Sequence, residues 1–181
     1  AAHHPGLPGR DPRPRGSRSP DRGRRMTQIR FASPHDVPQI LAFVRELADF
    51  EREPDAVVAT EAMLEAALFG PRPAAEAVIA EGPDGTAQGF ALFFQNFSTW
   101  TGLPGMYLED LYVTPAARGA GVGKALLRHL ADIAVTRGYG RFEWSVLDWN
   151  QSAIDFYRAM GAVGMEEWTV QRVTGDALRA L

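Results

Sequence analysis

Apolar residues recur with two different periods along the chain, and these periods predict alternating strands and helices. Runs rich in branched and aromatic residues are typical of strands, and they occupy positions 28–31, 77–80, 89–94, 107–113 and 141–146. Apolar residues at helical spacing, preceded by capping side chains, predict helices after Ser33, Thr60 and Asn150 and another after the glycine-rich stretch 118–124. Closing strands are expected at 163–167 and 168–173.

This order of elements is typical of a mixed α/β fold. The Pro-Asp-Gly turn at 83–85 predicts an antiparallel hairpin between its flanking strands. The helix after 118–124 connects the central strand 107–113 to a parallel neighbour at 141–146. We therefore expect a central mixed sheet of about six to seven strands, flanked by about four helices.

The composition permits one globular domain and excludes several kinds of site. The chain has 181 residues, 45% of them hydrophobic, which is enough for an ordinary core. No apolar run approaches the length of a membrane span. Because the chain has no cysteine, a disulfide framework, a thiolate zinc site and a cysteine nucleophile are excluded. The four histidines are scattered, and we expect no metal centre.

Residues 1–25 differ in composition from the rest of the chain. They contain seven Arg, five Pro and four Gly with almost nothing apolar, and we expect this N-terminal extension to be disordered because it cannot bury a core. Arginine-rich segments can bind nucleic acid or act in targeting, but these prolines disrupt the amphipathic helix that a targeting peptide needs. We favour a mis-set start, with one domain over residues 26–181, over a functional extension.

The charge balance changes once this extension is set aside. The whole chain has 19 basic and 22 acidic residues, and residues 1–25 contribute seven Arg and two Asp. Residues 26–181 therefore keep 12 basic and 20 acidic residues, a net charge of −8. A negative field attracts small cations and opposes polyanions, so we expect small amines rather than nucleic acid as partners. The competing interpretation is an acidic surface that only keeps the protein soluble.

The stretch 118–124, Arg-Gly-Ala-Gly-Val-Gly-Lys, carries the most specific signal. Glycines at a helix entrance let backbone N–H groups converge, and the helix end adds partial positive charge, which makes an anion site. A P-loop would need Gly at 118 and Ser or Thr at 125, where the chain has Arg118 and Ala125. The dinucleotide fingerprint would need its third Gly at 124, where the chain has Lys124. Neither motif fits this stretch.

Four stretches read together resemble the GNAT acetyltransferases. They are Tyr-Leu-Glu-Asp-Leu-Tyr-Val at 107–113, the glycine-rich stretch 118–124, Trp-Asn-Gln-Ser-Ala-Ile at 149–154 and Phe-Tyr-Arg-Ala-Met-Gly-Ala at 156–162. More narrowly, the chain from about residue 29 to its end is similar to the diamine acetyltransferases, the spermidine/spermine branch with its thialysine-acetylating relatives. The loop that carries Trp100 is one residue longer than is usual in that branch.

The resemblance implies a GNAT-like sheet, a homodimer and a site for acetyl-CoA. Backbone amides of the glycine loop would hold the diphosphate, the pantetheine arm would pair with the edge of the central strand, and Asn150 would hydrogen-bond the pantetheine. The expected coenzyme-binding residues are Leu111, Tyr112, Val113, Arg118, Gly119, Ala120, Gly121, Val122, Gly123, Lys124 and Asn150.

Two adjacent carboxylates on the central strand are candidates for the chemistry at the amine. Glu109 is the candidate base, directly or through water, and Asp110 beside it would attract a cation while raising the proton affinity of its neighbour. Adjacent strand positions point to opposite faces, so one site can use both only if the strand is bulged or diverges from its neighbour. The competing interpretation is that the strand reaches solvent at these two positions, where carboxylates need no partner.

Tyr157 is the candidate acid. The resemblance places this tyrosine beside the coenzyme sulfur, and a phenol with a pKa near ~10 is neutral at pH 7 yet can protonate a thiolate. The competing interpretation is a core aromatic residue. Contacts with the amine are expected from Glu109 and Asp110 and, by approximate position in the family only, from Trp100, Phe50 and Glu51.

These observations predict a cytoplasmic N-acetyltransferase that moves an acetyl group from acetyl-CoA to a small polyamine or diamine, without a metal and without nucleic-acid or membrane partners. Direct transfer is favoured because the chain has no cysteine and no serine nucleophile elbow. An acetyltransferase for a lysine-like amino acid such as thialysine, or for a protein amine, is the alternative among enzymes. A coenzyme-A-binding module without catalysis is the alternative from another class.

Overall fold

The computed structural model describes residues 27–181, which build one mixed sheet with the strand order β1-β2-β3-β4-β5. The strands are β1 (Gln28–Phe31), β2 (Glu76–Glu81), β3 (Ala87–Ser98), β4 (Leu103–Val113) and β5 (Phe142–Trp144). The helices are α1 (Val37–Phe50), α2 (Glu61–Phe69), α3 (Val122–Thr136), α4 (Gln151–Ala159) and α5 (Gly175–Ala180). Three short 3-10 turns occupy Pro34–Asp36, Pro54–Ala56 and Pro115–Ala117.

The expected mixed α/β fold is confirmed, including the direction of each strand pair. The first four strands are antiparallel neighbours, and β4 and β5 are parallel with α3 as the crossover between them. The expectation of disorder for residues 1–25 falls outside the described residues. Among residues 27–181, no helix combines the length and the apolar character that crossing a membrane requires.

The C-terminal part of the chain lacks the two closing strands that the sequence predicts. The strands predicted at 163–167 and 168–173 do not form, so the sheet has five strands instead of six or seven. Their apolar side chains remain exposed, with 83% of Val163 and 77% of Val170 accessible to solvent. An alternating pattern indicates a face that can be covered, but a strand also needs a neighbour for its backbone N–H and C=O groups. The fifth helix, α5, was not predicted.

Helices cover both faces of the sheet and create two apolar layers. Period-two alternation sends neighbouring residues of β2 to opposite faces, with Val78 packed towards α3 and Ile79 packed towards α1 and α2. The α3 layer also contains Phe93, Met106, Leu108, Leu126, Leu127 and Leu130. The layer under α1 and α2 contains Ile40, Phe43, Leu68, Phe90, Leu92 and Tyr112. The sheet is therefore held between layers, which fixes the positions of the helix ends.

An ion-pair network anchors the start of α1. The Arg30 guanidinium donates to the Asp36 carboxylate at 2.8 Å and to the Glu81 carboxylate at 2.6 Å. The Ser33 N–H donates to the same Asp36 carboxylate at 2.7 Å, and the hydrogen bond from Arg30 holds the pKa of Asp36 below its usual range. Fixing this end also fixes the direction in which the far end of α1 points, towards the cleft described next.

Candidate active site

A cleft of about 700 Å³ lies where the second half of β4, the start of α3, the end of α1 and the start of α4 meet. Elements that are distant in the sequence contribute its walls. Most of the residues predicted to bind coenzyme or amine line it, namely Glu51, Glu109, Leu111, Tyr112, Val113, Arg118, Gly119, Gly121, Val122, Gly123, Lys124, Asn150 and Tyr157. Ala120, Asp110 and Trp100 are not among its lining residues.

Strand β4 is irregular at the two adjacent carboxylates. Its register against β3 passes from the pair Leu92–Asp110 to the pair Phe93–Leu108, so Glu109 is an extra residue with no opposite partner. Such a bulge re-aims a side chain. On its other side, β4 pairs with β5 only as far as Leu108 and Trp144. On this side, none of the described strands lies beside β4 from residue 109 to 113, where a pantetheine arm would pair.

Three carboxylates from two distant segments come together at this irregularity. Glu51, at the end of α1, and Glu109 line the cleft, and Asp110 is half-buried beside them. Burial, followed by the charges of Glu109 and Glu51, raises the pKa of Asp110 to about 6. Burial also raises the pKa of Glu51. Carboxylates whose pKa is raised in this way gain stability when a cation binds between them.

Tyr157 faces the carboxylates from α4. Its ring packs against Trp144 at 5.0 Å and Phe156 at 5.4 Å between centroids, and the residue is half-buried. Burial, followed by the charge of Glu51, raises the pKa of its hydroxyl. The phenol is therefore protonated at neutral pH and can act as a proton donor into the cleft.

The glycine loop has the backbone of an anion site. Gly119 has φ of 77° and Gly121 has φ of 87°, a left-handed conformation that side chains disfavour. Gly121 is the N-cap of α3, and the first N–H groups of a helix have no partner within it. Among residues 27–181, no backbone acceptor is hydrogen-bonded to the amides of Gly119 and Gly121. These amides are available to an anion at the mouth of the loop.

Arg118 is held at the cleft by two aromatic rings. Its guanidinium carbon lies 5.4 Å from the centroid of Phe50 and 5.9 Å from that of Tyr112, and its Nε donates to the Val113 carbonyl at 3.1 Å. The Tyr112 hydroxyl in turn donates to the carboxylate of Glu46. Burial and this bond raise the pKa of Tyr112 to about 12. The sequence motifs contain Arg118 and Tyr112, but no motif indicates that Phe50 lies beside them or that the rings orient the guanidinium.

Asn150 and Trp100 occupy very different places. Asn150 lines the cleft, and its side chain accepts from the Ala153 N–H at 3.2 Å as the N-cap of α4. Trp100 lies in the turn between β3 and β4 with 87% of its surface exposed, and it contacts Trp168 at 6.3 Å between ring centroids. The structure therefore does not bring Trp100 into the cleft of its own chain, and its contact with the amine stays a prediction.

Trp149 and Arg52, beside the cleft, were absent from the predicted site, whereas Phe50 was expected by approximate position in the family and lines the cleft. Phe50 and Trp149 approach to 6.1 Å between ring centroids and join the end of α1 to the turn before α4. The guanidinium carbon of Arg52 lies 4.6 Å from the Trp149 centroid. No periodicity or motif signals this contact, because it depends on where two loops meet. Within residues 27–181, no group of three or more potential ligands is arranged to hold a metal ion.

Comparison with known families agrees with this geometry. Residues 41–162 match the acetyltransferase (GNAT) family. The chain belongs to the GNAT family. The resemblance inferred from the four motifs is thereby confirmed, and the protein is a GNAT N-acetyltransferase. GNAT enzymes use acetyl-CoA, and the open edge of β4, the free amides of the glycine loop and the cation of Arg118 fit this co-substrate.

Similar proteins carry the names of different small amines. A thialysine N-epsilon-acetyltransferase of Sus scrofa is 38% identical over 163 residues, covering 84% of this chain and 95% of that protein. An L-ornithine N5-acetyltransferase of Arabidopsis thaliana is 35% identical, covering 90% of this chain and 91% of that protein. A spermidine/spermine N(1)-acetyltransferase-like protein of Homo sapiens is 37% identical over 83% of this chain, which spans only 23% of that longer protein.

Proposed function

We propose that the protein transfers an acetyl group from acetyl-CoA directly to a primary amine of a small polyamine or diamine. One observation carries the proposal: a single cleft joins a backbone anion site at the glycine loop to a cluster of carboxylates, along an unpaired strand edge. The anion site suits the coenzyme diphosphate, and the carboxylates suit an alkyl ammonium. The unpaired edge between them is where the two reacting groups would meet.

The predicted coenzyme-binding residues divide by the part of the molecule they would hold. The amides of Gly119, Gly121 and the first turn of α3 would hold the diphosphate, with Arg118 and Lys124 adding positive charge. The backbone of residues 111–113 would pair with the pantetheine amides. Asn150 already caps α4, which fixes its side chain at the cleft wall, where it would bond the same arm.

Two side chains would move the protons of the reaction. An alkyl ammonium with a pKa near ~10.4 must lose a proton before its nitrogen can attack the thioester carbonyl. Glu109, re-aimed by the bulge, would accept that proton directly or through a water. When the carbon–sulfur bond breaks, the hydroxyl of Tyr157 would donate a proton to the departing sulfur. Asp110 and Glu51 would hold the cationic substrate by charge.

An amino acid with a side-chain amine is the second candidate substrate. Two of the similar enzymes carry thialysine and ornithine in their names, and the third carries spermidine and spermine. All of these substrates present a primary amine on an alkyl chain to the acetyl donor. The carboxylate cluster suits that amine in either class and does not distinguish them.

We also propose that residues 26–181 form one domain that works as a homodimer in the cytoplasm. The single sheet supports one domain. The homodimer is supported by the exposed apolar side chains of Val163, Met165, Trp168 and Val170, which a second copy would cover. The cytoplasm is proposed because acetyl-CoA and small amines are both metabolites found there.

Release of coenzyme A from acetyl-CoA by the full chain tests the function. The panel is spermidine, spermine, putrescine, thialysine, lysine and a basic peptide. We expect saturable turnover on at least one small amine and little on the peptide. Tight binding of acetyl-CoA without turnover on any amine would favour a coenzyme-binding module, and turnover on the peptide alone would favour acetylation of a protein amine.

A further inference from the structure

Arg52 has an unusual backbone for its position. Among residues 27–181, it is the only non-glycine residue with positive φ, at 65°. Side chains disfavour this conformation, which costs of order 1–2 kcal/mol. It persists because hydrogen bonds hold the residues around it: the Arg52 N–H donates to the Asp49 carbonyl at 3.1 Å and the Glu53 N–H donates to the Ala48 carbonyl at 2.9 Å. Together these two bonds form the Schellman motif that ends α1, so the helix cap fixes where the Arg52 side chain leaves the helix.

The Arg52 side chain lies over Trp149 at the rim of the cleft. Its guanidinium carbon is 4.6 Å from the ring centroid, which is within the range of a cation–π contact. Residues adjacent in the chain to both partners line the cleft, Glu51 on one side and Asn150 on the other. Arg52 and Trp149 do not line the cleft themselves, so this contact holds the cation beside the cleft, next in the chain to residues of its two walls.

This cation is not neutralised by the carboxylates of the site. Within the described part of the chain, Arg52 takes part in no ion pair, whereas Arg30, Arg137, Arg141 and Arg179 all do. The pKa of Glu51 is raised by burial, the direction opposite to the effect of a guanidinium held against it. The cleft thus has an acidic end and, separate from it, a cation at its rim.

The two charged ends distinguish between the candidate substrates. A polyamine or diamine carries only positive charges, so a fixed cation at the rim repels it. An amino acid with a side-chain amine carries an α-carboxylate as well. A guanidinium that stacks through its face keeps the N–H groups at its edge free, and this planar fork matches a carboxylate with two parallel hydrogen bonds.

We propose that Arg52, held on the face of Trp149, binds the α-carboxylate of an amino acid whose side-chain amine is acetylated in the cleft. The inference rests on the proposed acetyltransferase function, but it favours the second candidate substrate, a lysine-like amino acid, over the first, a polyamine or diamine. Glu51 lines the cleft, and its neighbour Arg52, in the left-handed conformation, lies over Trp149. Arg52 is then a specificity-determining residue with no part in proton transfer.

Substrates that differ only by the carboxylate test this role. Ornithine and putrescine form one such pair, and lysine and cadaverine form another. With the full chain, we expect a lower KM for the amino acid than for its decarboxylated counterpart. Arg52→Gln should raise the KM for the amino acid about tenfold, the effect of losing a charge-assisted hydrogen bond. The kcat on both substrates and the Kd of acetyl-CoA should stay unchanged.

Three further variants separate the effects of the Arg52 charge, its planar hydrogen-bonding geometry and its backbone conformation. Arg52→Lys keeps the charge without the fork and should recover only part of the affinity. Arg52→Gly relieves the strained φ and removes the side chain, so it should match Arg52→Gln if the guanidinium is what matters. Arg45→Gln is the control, because it makes the same charge change at an exposed position of α1 outside the cleft lining. It should leave both KM values unchanged.

Several results would overturn the inference. Equal changes of KM for both members of a pair would mean that Arg52 does not recognise the carboxylate. A weaker Kd for acetyl-CoA in Arg52→Gln would assign the guanidinium to a coenzyme phosphate instead. Turnover on putrescine and cadaverine but not on the amino acids would contradict the inference and leave the proposed acetyltransferase standing. No turnover on any of the four substrates would count against both this inference and the proposed acetyltransferase function.

Discussion

The two ends of the cleft are built in different ways. The coenzyme end consists mainly of backbone: amides presented by Gly119 and Gly121, the start of α3 and the unpaired edge of β4. The amine end consists of side chains from the end of α1 and the bulge of β4, facing Tyr157 on α4. A backbone site depends on one continuous stretch of chain. A side-chain site depends on how distant stretches pack, so its specificity can change without altering the loop.

The difference also appears in the electrostatics. At the coenzyme end, peptide dipoles and the Arg118 and Lys124 side chains provide positive potential. At the amine end, burial of Asp110, followed by the charges of Glu109 and Glu51, raises the pKa of Asp110 to about 6. The first arrangement is ready to bind an anion without rearrangement. The second is destabilised until a cation enters, so the amine end should gain more stability from its ligand.

The largest expected effect comes from a charge placed in the glycine loop. In Gly121→Glu, a carboxylate facing the coenzyme diphosphate should weaken acetyl-CoA binding about 1,000-fold, which corresponds to about 4 kcal/mol of repulsion at close range. Isothermal titration calorimetry measures this Kd. Gly85→Glu is the matched control, because Gly85 also has a positive φ, 80°, and open space around its Cα, but lies in the β2–β3 turn. Retained binding in Gly121→Glu would disprove the loop assignment.

Removing the hydroxyl of Tyr157 should separate chemistry from coenzyme binding. Tyr157→Phe keeps the ring packed against Trp144 but removes the proton donor, so kcat should fall about 100-fold while the Kd of acetyl-CoA changes little. Steady-state kinetics and a binding titration measure the two quantities. Tyr139→Phe provides the control, since it loses a hydroxyl that donates to Gln95 outside the cleft. An unchanged kcat in Tyr157→Phe would remove this residue from the acid role.

The base should be recognised by its pH dependence. Glu109→Gln should lower kcat/KM for the amine about 30-fold at pH 7. The deficit should shrink as the pH rises, because the fraction of free amine increases up to its pKa near ~10.4. Profiles of kcat/KM between pH 6 and pH 10 would show the two curves converging. Parallel curves over that range would mean that Glu109 binds the substrate but does not accept its proton.

The smallest expected effect is on stability at the amine end. The pKa of Asp110 is about 6 in the fold against an ordinary 3.8, so the folded state binds this proton more tightly than the unfolded state. Its contribution to stability is therefore present below about pH 4 and is lost as the pH rises to 6. At pH 7.5, Asp110→Asn should stabilise the apo protein by about 1 kcal/mol, less than the full shift implies because solvent partly screens the half-buried carboxylate.

Urea unfolding at pH 7.5 and at pH 4 checks the direction of this change in stability. The advantage of Asp110→Asn should shrink at the lower pH, because the wild-type carboxyl is then largely protonated in the fold. Asp132→Asn, at an exposed position of α3, is the control and should show no comparable pH-dependent gain. A destabilised Asp110→Asn at pH 7.5 would mean that the three carboxylates do not strain the empty cleft.

Some features could be predicted from short stretches because their physical cause is local. The helix starts at Thr60 and Asn150 were predicted from their side chains, and both accept hydrogen bonds from backbone N–H groups as N-caps. The hairpin between β2 and β3 follows from the turn at 83–85. The strands expected at 163–173 do not form, because their cause is not local. Their alternation is local, but strand formation depends on a partner that the described chain does not place beside them.

By itself, the sequence determined the mixed α/β order, the glycine loop and the membership of the GNAT family, since these depend on spacing within one stretch. Only the tertiary structure decided that Glu51 joins Glu109 and Asp110, and that Arg52 stacks on Trp149. Those contacts link residues roughly 60 to 100 positions apart, and they depend on the β4 bulge and on where α1 ends. Periodicity describes which face a residue occupies, whereas packing decides which distant residue it meets.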